Sequence, residues 1–417
     1  MSWPLQRGFD QYYGFIGGHS DQWHPDLVEG NTPLPKPDQP GYHVSVDLVD
    51  HAIAAMKDVT KPVFLYLSFG AAHAPHHVAA EYRDRYKGMY DKGWDELRKD
   101  RFAKMKEMGI IPNNTVLSER NPGDATWESL TAQQKKVFAR FMENYAGFIE
   151  HTDEQIGRLV SALKSSGQYH NMLFVLLSDN GPAEEGFQHG SFHQVYFDKT
   201  PLAEMEQHLD ELGGPTTEPH YQRPWAMAGA TPFRRYKKWP FAGGARDPLI
   251  IAWPGVIKDG GAIRTQYVDV IDLAPTMLEI AGGQFRSAID GQEQIPVAGK
   301  SIRATLTSAN APAARDVQFF SLLSHRAITS GQWKAVAMHK PGGDFDKDQW
   351  LLFDTSKDFS ESTDVAAQYP EKVEELKALW TSEAKKYSNP PVYELPALIV
   401  KMGEFNDAFV NPGQKPR

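Results

Sequence analysis

Asn171-Met172-Leu173-Phe174-Val175-Leu176-Leu177-Ser178-Asp179-Asn180-Gly181 is the stretch on which the reading of this chain turns. Met172 to Leu177 is a continuous apolar run with no polar alternation, which predicts a strand buried on both faces. Upstream, Val137, Phe141, Tyr145, Phe148, Thr152, Ile156, Leu159 and Leu163 fall on one face of a long helix. Thr131 is suited to its N-cap, and Gly167 stops it. A helix leading into a buried strand argues a parallel α/β sheet, and such sheets hold ligands beyond the carboxyl ends of their strands. Ser178-Asp179-Asn180 occupies that position.

The same alternation extends in both directions. Residues 43–60 read as a helix through Val46, Val49, Ile53 and Met56, and Pro62 then opens a β-rich run, Val63 to Phe69. Pro248 to Trp253 reads as a third strand, followed by a helix over Val268 to Ala281. The fold class expected is α/β, a mostly parallel sheet flanked by helices. Beyond about residue 308 the texture changes to short strands, Val317–Leu323, Trp333–His339 and Trp350–Phe353. A helix from Pro370 follows, with Val373, Leu376, Trp380 and Tyr387 inward. Two units are therefore expected, an α/β domain over 1–308 and a smaller antiparallel α+β domain over 309–417. Residues 83–130 read as an inserted rim over the site. Residues 181–235 form a loop too long to be idle in a compact domain.

Composition narrows the function classes. The 417 residues are 41% hydrophobic and 23% charged, with a net charge of −9, so neither nucleic acid nor an anionic membrane is expected as a partner. With no cysteine, disulfides, thiolate metal sites and a Cys nucleophile are excluded within this sequence. The first thirty residues hold no apolar h-region, and no run approaches the roughly 20 apolar residues of a membrane helix. The compartment stays open between cytoplasm and periplasm.

Three segments carry chemistry. Asp179-Asn180 offers hard oxygen ligands for Ca²⁺ or Mg²⁺, although Asp-Asn-Gly is also an ordinary turn. His73, in Ala72-His73-Ala74-Pro75-His76-His77, is placed to donate a proton or contact an anion. Lys237 and Lys238 precede Gly243-Gly244 and Arg246, where a cation can approach an oxyanion across a glycine turn. His19 and Trp23 are weaker candidates for the pocket wall.

These blocks resemble the sulfatase family, of the bacterial, formylglycine-dependent arylsulfatase type within the alkaline-phosphatase-like superfamily. The resemblance rests on five blocks in order: Arg7-Gly8-Phe9-Asp10 through Phe15, Ala72 through Pro75, Leu177 through Gly181, Thr231 through Lys237, and Gly243 through Pro248. Trp350 to Asp364 adds a sixth. The resemblance implies that Asp179 and Asn180 bind a metal, calcium with magnesium as the alternative. It implies His73 and Lys237 at the leaving oxygen, with Lys238 as the fallback. The nucleophile it implies, a formylglycine hydrate made in a Cys/Ser-x-Pro-x-Arg motif, has no precursor in this sequence, and neither the early aspartate pair nor the Gly-Lys-x-His block is found. Ala242 stands where many relatives carry a glutamate.

The expectation is an arylsulfatase-type sulfuric-ester hydrolase, N-terminally incomplete, acting on a small sulfate ester and completed by a missing segment or complementary chain. Two alternatives stand: a phosphodiesterase or phosphonate hydrolase of the same superfamily, and a non-catalytic remnant that binds anions or a partner. No hydrolysis of an aryl sulfate by the chain alone is expected, and an exposed sheet edge is expected where a central strand is lacking.

Overall fold

A computed structural model describes residues 3–57, 61–196, 198–340 and 342–387. The end of the expected first helix and the last part of the C-terminal unit, 388–417, lie outside the described residues. The elements that position the site are, in chain order, helices α1 (Val44–Met56), α2 (Gly93–Glu107), α3 (Ala132–Ser165), α4 (Arg223–Gly229), α5 (Leu273–Ile280) and α6 (Pro370–Tyr387). The principal strands are β1 (Phe174–Leu177), β2 (Leu249–Ala252), β3 (Val317–Leu322), β4 (His325–Ser330), β5 (Trp333–Ala337) and β6 (Trp350–Asp354). Among the described residues no helix is long and apolar enough to cross a membrane.

The long helix α3 is the spine. It starts as expected at Thr131, whose hydroxyl accepts from the Gln134 amide at 3.2 Å while the Gln134 side chain accepts from the Thr131 amide at 2.9 Å. This reciprocal cap satisfies two donors that a helix start leaves orphaned. Its first half packs Val137, Phe138, Phe141 and Met142 into the largest core cluster, with Trp94, Trp127 and Trp225. Its last turns bring Leu159 and Leu163 against Val49, Ala52 and Met56 of α1. Residues 83–130 are consequently no rim. Trp94 on α2 and Trp127 are buried, with ring centroids 4.7 Å apart, and large aromatic area outweighs the local charge of the segment.

The sheet differs from expectation in two ways. Strand β1 pairs with β2 in antiparallel register, Phe174 with Ala252 and Leu177 with Leu249. Nor is β1 buried on both faces: Phe174 joins the cluster under α1 and α3, while Leu176 is 45% exposed. The run from Val63 to Phe69 belongs to no strand. Leu67 and Phe69 reach the same cluster as Phe174, yet Phe64 is 59% and Tyr66 72% exposed. None of residues 63–69 shares a backbone hydrogen bond with another described residue. The strand expected from this apolar pattern is therefore not formed, because strand formation requires a neighbour to take its peptide groups.

The C-terminal sheet has the order β6-β5-β4-β3, each pair antiparallel. Strand β4 escaped the sequence reading because Arg326 interrupts its apolar run; here that guanidinium is held by Asp348 at 2.6 Å. Helix α6 covers one face through Val373, Leu376, Trp380 and Ala384. Tyr387, expected inward, is 55% exposed and stacks on Phe319 at 5.6 Å. The other face receives Phe241 against Ala327, Val336 and Phe353. That contact matters for the site, because Phe241 opens the Gly243-Gly244 turn.

Candidate active site

Glycines draw the site together. The Gly181 amide donates to the Gly244 carbonyl at 3.3 Å, and the Lys237 amide donates to the Pro182 carbonyl at 3.0 Å. A methyl group on Gly181 would lie 2.0 Å from the Gly243 oxygen. On Gly243 it would lie 2.3 Å from the Arg235 oxygen, and on Gly244 2.3 Å from those of Tyr236 and Trp239. Only bare backbone permits this approach. The turn after Asp179-Asn180 is thus stitched to the lysine segment. Arg235 and Lys238 have φ of 64° and 78°, so the backbone turns through left-handed conformations two residues before Lys237 and directly after it.

The basic run separates into two roles. Arg234 lies 4.9 Å over the Phe241 ring and Arg235 4.4 Å over Trp239. Arg246 lies 4.2 Å over Phe359, away from the lysines. Lys237 and Lys238 instead converge on one buried carboxylate, Glu185, whose Oε1 is 3.2 Å and 3.5 Å from their Nζ atoms. Lys238 also approaches Glu184 at 3.9 Å. Burial pushes the Glu185 carboxyl upward, but Lys238, Lys237 and His220 override it and hold it at about 2.

Three histidines in five residues diverge. The Nδ1 of His73 is 2.6 Å from the Ala74 carbonyl, which can only accept, so Nδ1 carries the proton and Nε2 is the free acceptor. Burial, and secondarily Lys237, lower the His73 pKa while the Ala74 carbonyl and Glu185 oppose them. The free ring therefore accepts a proton at Nε2 before it can donate one. His76 is buried between Tyr145, at 4.8 Å, and His220, at 5.0 Å. The Nδ1 of His77 lies 3.3 Å from Asp21, and its Nε2 is hydrogen-bonded to Thr217.

His19 lies with its ring 5.7 Å from His73 and 6.3 Å from the edge of Tyr196. Trp23 points elsewhere, its indole donating to the Gly213 carbonyl at 3.0 Å. Of the residues singled out in the sequence, Lys237 and Lys238 meet at Glu185, His73 lies within electrostatic reach of Lys237 and Glu185, and His19 stands beside His73. Asp179 and Asn180 sit at the end of β1 beside Asp247, whose carboxyl burial and then Asp179 push up to about 7. Two acids and an amide are hard oxygen donors, the chemistry that suits a calcium-like ion. Among the described residues no group of three His, Cys, Asp or Glu is arranged to hold a metal, so these donors fit part of such a site.

Sequence reasoning missed Glu184, Glu185, Tyr196, His220 and Asp247. The first four lie in the 181–235 loop, where paired acids read as solvated charge; Asp247 lay inside a quoted block. His220 makes a testable contribution. Burial lowers it from 6.5 to about 4 despite Glu185. The unfolded chain therefore binds a proton between those values that the folded chain refuses, and stability falls as pH drops from 6.5 toward 4. For this fully buried ring the loss approaches about 3 kcal/mol. Urea unfolding of His220→Gln at pH 7 and 4.5 is expected to show a pH-dependent loss smaller by about 2 kcal/mol than the parent chain.

The sulfatase profile matches residues 2–283, and the C-terminal profile of N-sulphoglucosamine sulphohydrolase matches 234–386. An uncharacterized sulfatase of Schizosaccharomyces pombe is 32% identical over 408 residues, 91% of this chain and 71% of the relative. An arylsulfatase of Klebsiella aerogenes is 31% identical over 320 residues, 72% of this chain. This chain spans 66% of that relative's length. The solved structure of Ps i-CgsB with k-i-k-neocarrahexaose superposes with a TM-score of 0.57 at 19% identity, covering 98% of this chain and 74% of that one. Profiles reaching from residue 2 to residue 386, and relatives above 30% identity, identify the chain as a member of the sulfatase family on the alkaline-phosphatase-like fold.

Proposed function

We propose that this chain is the leaving-group and partial metal-binding portion of a sulfuric-ester hydrolase of the arylsulfatase type, completed by a polypeptide segment that brings the nucleophile. The observation that carries the reading is the meeting of Lys237 and Lys238 at Glu185, on a segment hydrogen-bonded to the turn after Asp179-Asn180 and within electrostatic reach of His73. Lys237 stabilises negative charge on the departing oxygen. His73, with Nδ1 fixed by Ala74, holds Nε2 toward the ester; a bound anion raises its proton affinity, so the ring becomes the acid that the alcohol needs. Asp179 and Asn180 would hold the metal, with Asp247 nearby, and a bound calcium ion would neutralise charge on the sulfuryl oxygens.

Support for a completing segment comes from exposed apolar side chains, Phe64 and Tyr66 on the 63–69 run and Leu176 and Ile250 paired on β1 and β2. Among the described residues, the peptide groups at 63–69 share no backbone hydrogen bond. An added β-strand would supply both apolar side chains and hydrogen bonds to these peptide groups. The sequence holds no Cys and no Ser-x-Pro-x-Arg, so the same segment would bring the formylglycine.

The test uses 4-nitrophenyl sulfate with calcium. The chain alone is expected to give no turnover. Addition of a polypeptide bearing Cys/Ser-x-Pro-x-Arg and Gly-Lys-x-His, matured to formylglycine, is expected to restore it, and Asp179→Ala to remove it again. Turnover by the purified chain alone, lost in Asp179→Ala, sinks the requirement for a second segment.

A further inference from the structure

Glu185 faces more positive charge than its own burial needs. Lys237 and Lys238 both lie within 3.5 Å of its Oε1, and the carboxylate is 8% exposed. Its Oε2 is buried with no hydrogen-bond partner. His220 and Tyr196 complete the surroundings, and His73 feels the same carboxylate through space. Glu184 lies 3.9 Å from Lys238, farther from the ammonium than Glu185, and is a second carboxylate at the edge of the cluster. Both ammonium groups meet at this one carboxylate oxygen, so Glu185 sets how much of their positive charge an incoming anion feels.

We propose that Glu185 is a specificity-determining residue, lowering the advantage that the lysine pair gives to doubly charged esters over singly charged ones. The inference rests on the sulfate-ester reading and deepens it. A sulfate monoester carries one negative charge. A phosphate monoester of the same shape carries nearly two above its second pKa, about 6. Coulomb energy scales with the product of charges, so a fixed carboxylate repels the dianion twice as strongly as the monoanion. Two lysines without Glu185 would favour the dianion strongly; the carboxylate takes back part of that advantage and moves the balance toward sulfate.

The experiment measures binding of 4-nitrophenyl sulfate and 4-nitrophenyl phosphate to the whole chain at pH 8 with calcium, by saturation-transfer NMR and competition. The parent chain sets the reference ratio of the two affinities. Glu185→Gln should move the sulfate-to-phosphate ratio at least about tenfold toward phosphate. Glu185→Asp should keep the parent ratio, and Lys238→Met, which removes a positive charge, should move it the opposite way. The Lys238 variant tests the idea even where Glu185→Gln folds poorly. Equal losses for both ligands in Glu185→Gln, or an unchanged ratio in Lys238→Met, would mean the ion pair is only structural and would overturn the proposal. Should the parent chain bind neither ester, the sulfate-ester reading fails and takes this inference with it.

Discussion

Gly181→Ala is expected to destabilise the chain by about 2 kcal/mol or more and to disperse the lysines from Glu185. The added carbon would sit 2.0 Å from the Gly243 oxygen and 3.0 Å from the Gly244 Cα, neither of which has room to retreat. Gly243 is itself pressed against the Arg235 oxygen, and the segment is anchored by Phe241 in the C-terminal sheet. The Ala242 amide adds a second anchor, donating to Glu361 at 2.9 Å. Urea unfolding measures the loss, and a helical glycine supplies a control of opposite sign. Gly157 in α3 meets nothing within 4 Å, so Gly157→Ala should gain up to about 1 kcal/mol from helix propensity. If both variants behave alike, the close approach at Gly181 is not what holds the two segments together.

Replacing Phe64 and Tyr66 together by glutamate is expected to have the second large effect. Exposed apolar surface of this extent marks an interaction site or an aggregation liability. The parent chain should take up an apolar dye and self-associate on concentration, and the double variant should lose most of both. It should also fail to regain turnover with the completing polypeptide while keeping its melting temperature, because these two side chains face away from the cluster under α1 and α3. Light scattering, dye fluorescence and the complementation assay together decide this. A parent chain that stays monomeric and dark, or a variant that complements fully, would remove these side chains as a docking surface.

Much of the architecture was legible locally. Thr131 and Gln134 cap α3 through contacts three residues apart, and the apolar face of that helix repeats with the helical period. Asp179-Asn180 and the Gly243-Gly244 turn stood out as blocks for the same reason, since turn chemistry is written in neighbouring residues. Pairing was not legible. The run at 63–69 has the composition of a strand, and β4 lacks it, yet only β4 finds partners on both sides.

The site divides along the same line. The sequence by itself determined which groups were available, His73, Lys237, Lys238, Asp179 and Asn180, because each sits in a short block with its own chemistry. Glu185 was invisible as anything but a charged loop residue, since its meaning comes from two lysines more than fifty residues away and from loss of water around all three. Tertiary structure alone decided that Arg246 turns to Phe359, that Trp23 serves Gly213, and that Glu185 stands between the lysines. Electrostatic partnership depends on distance and burial, and both are set by packing across the chain rather than along it.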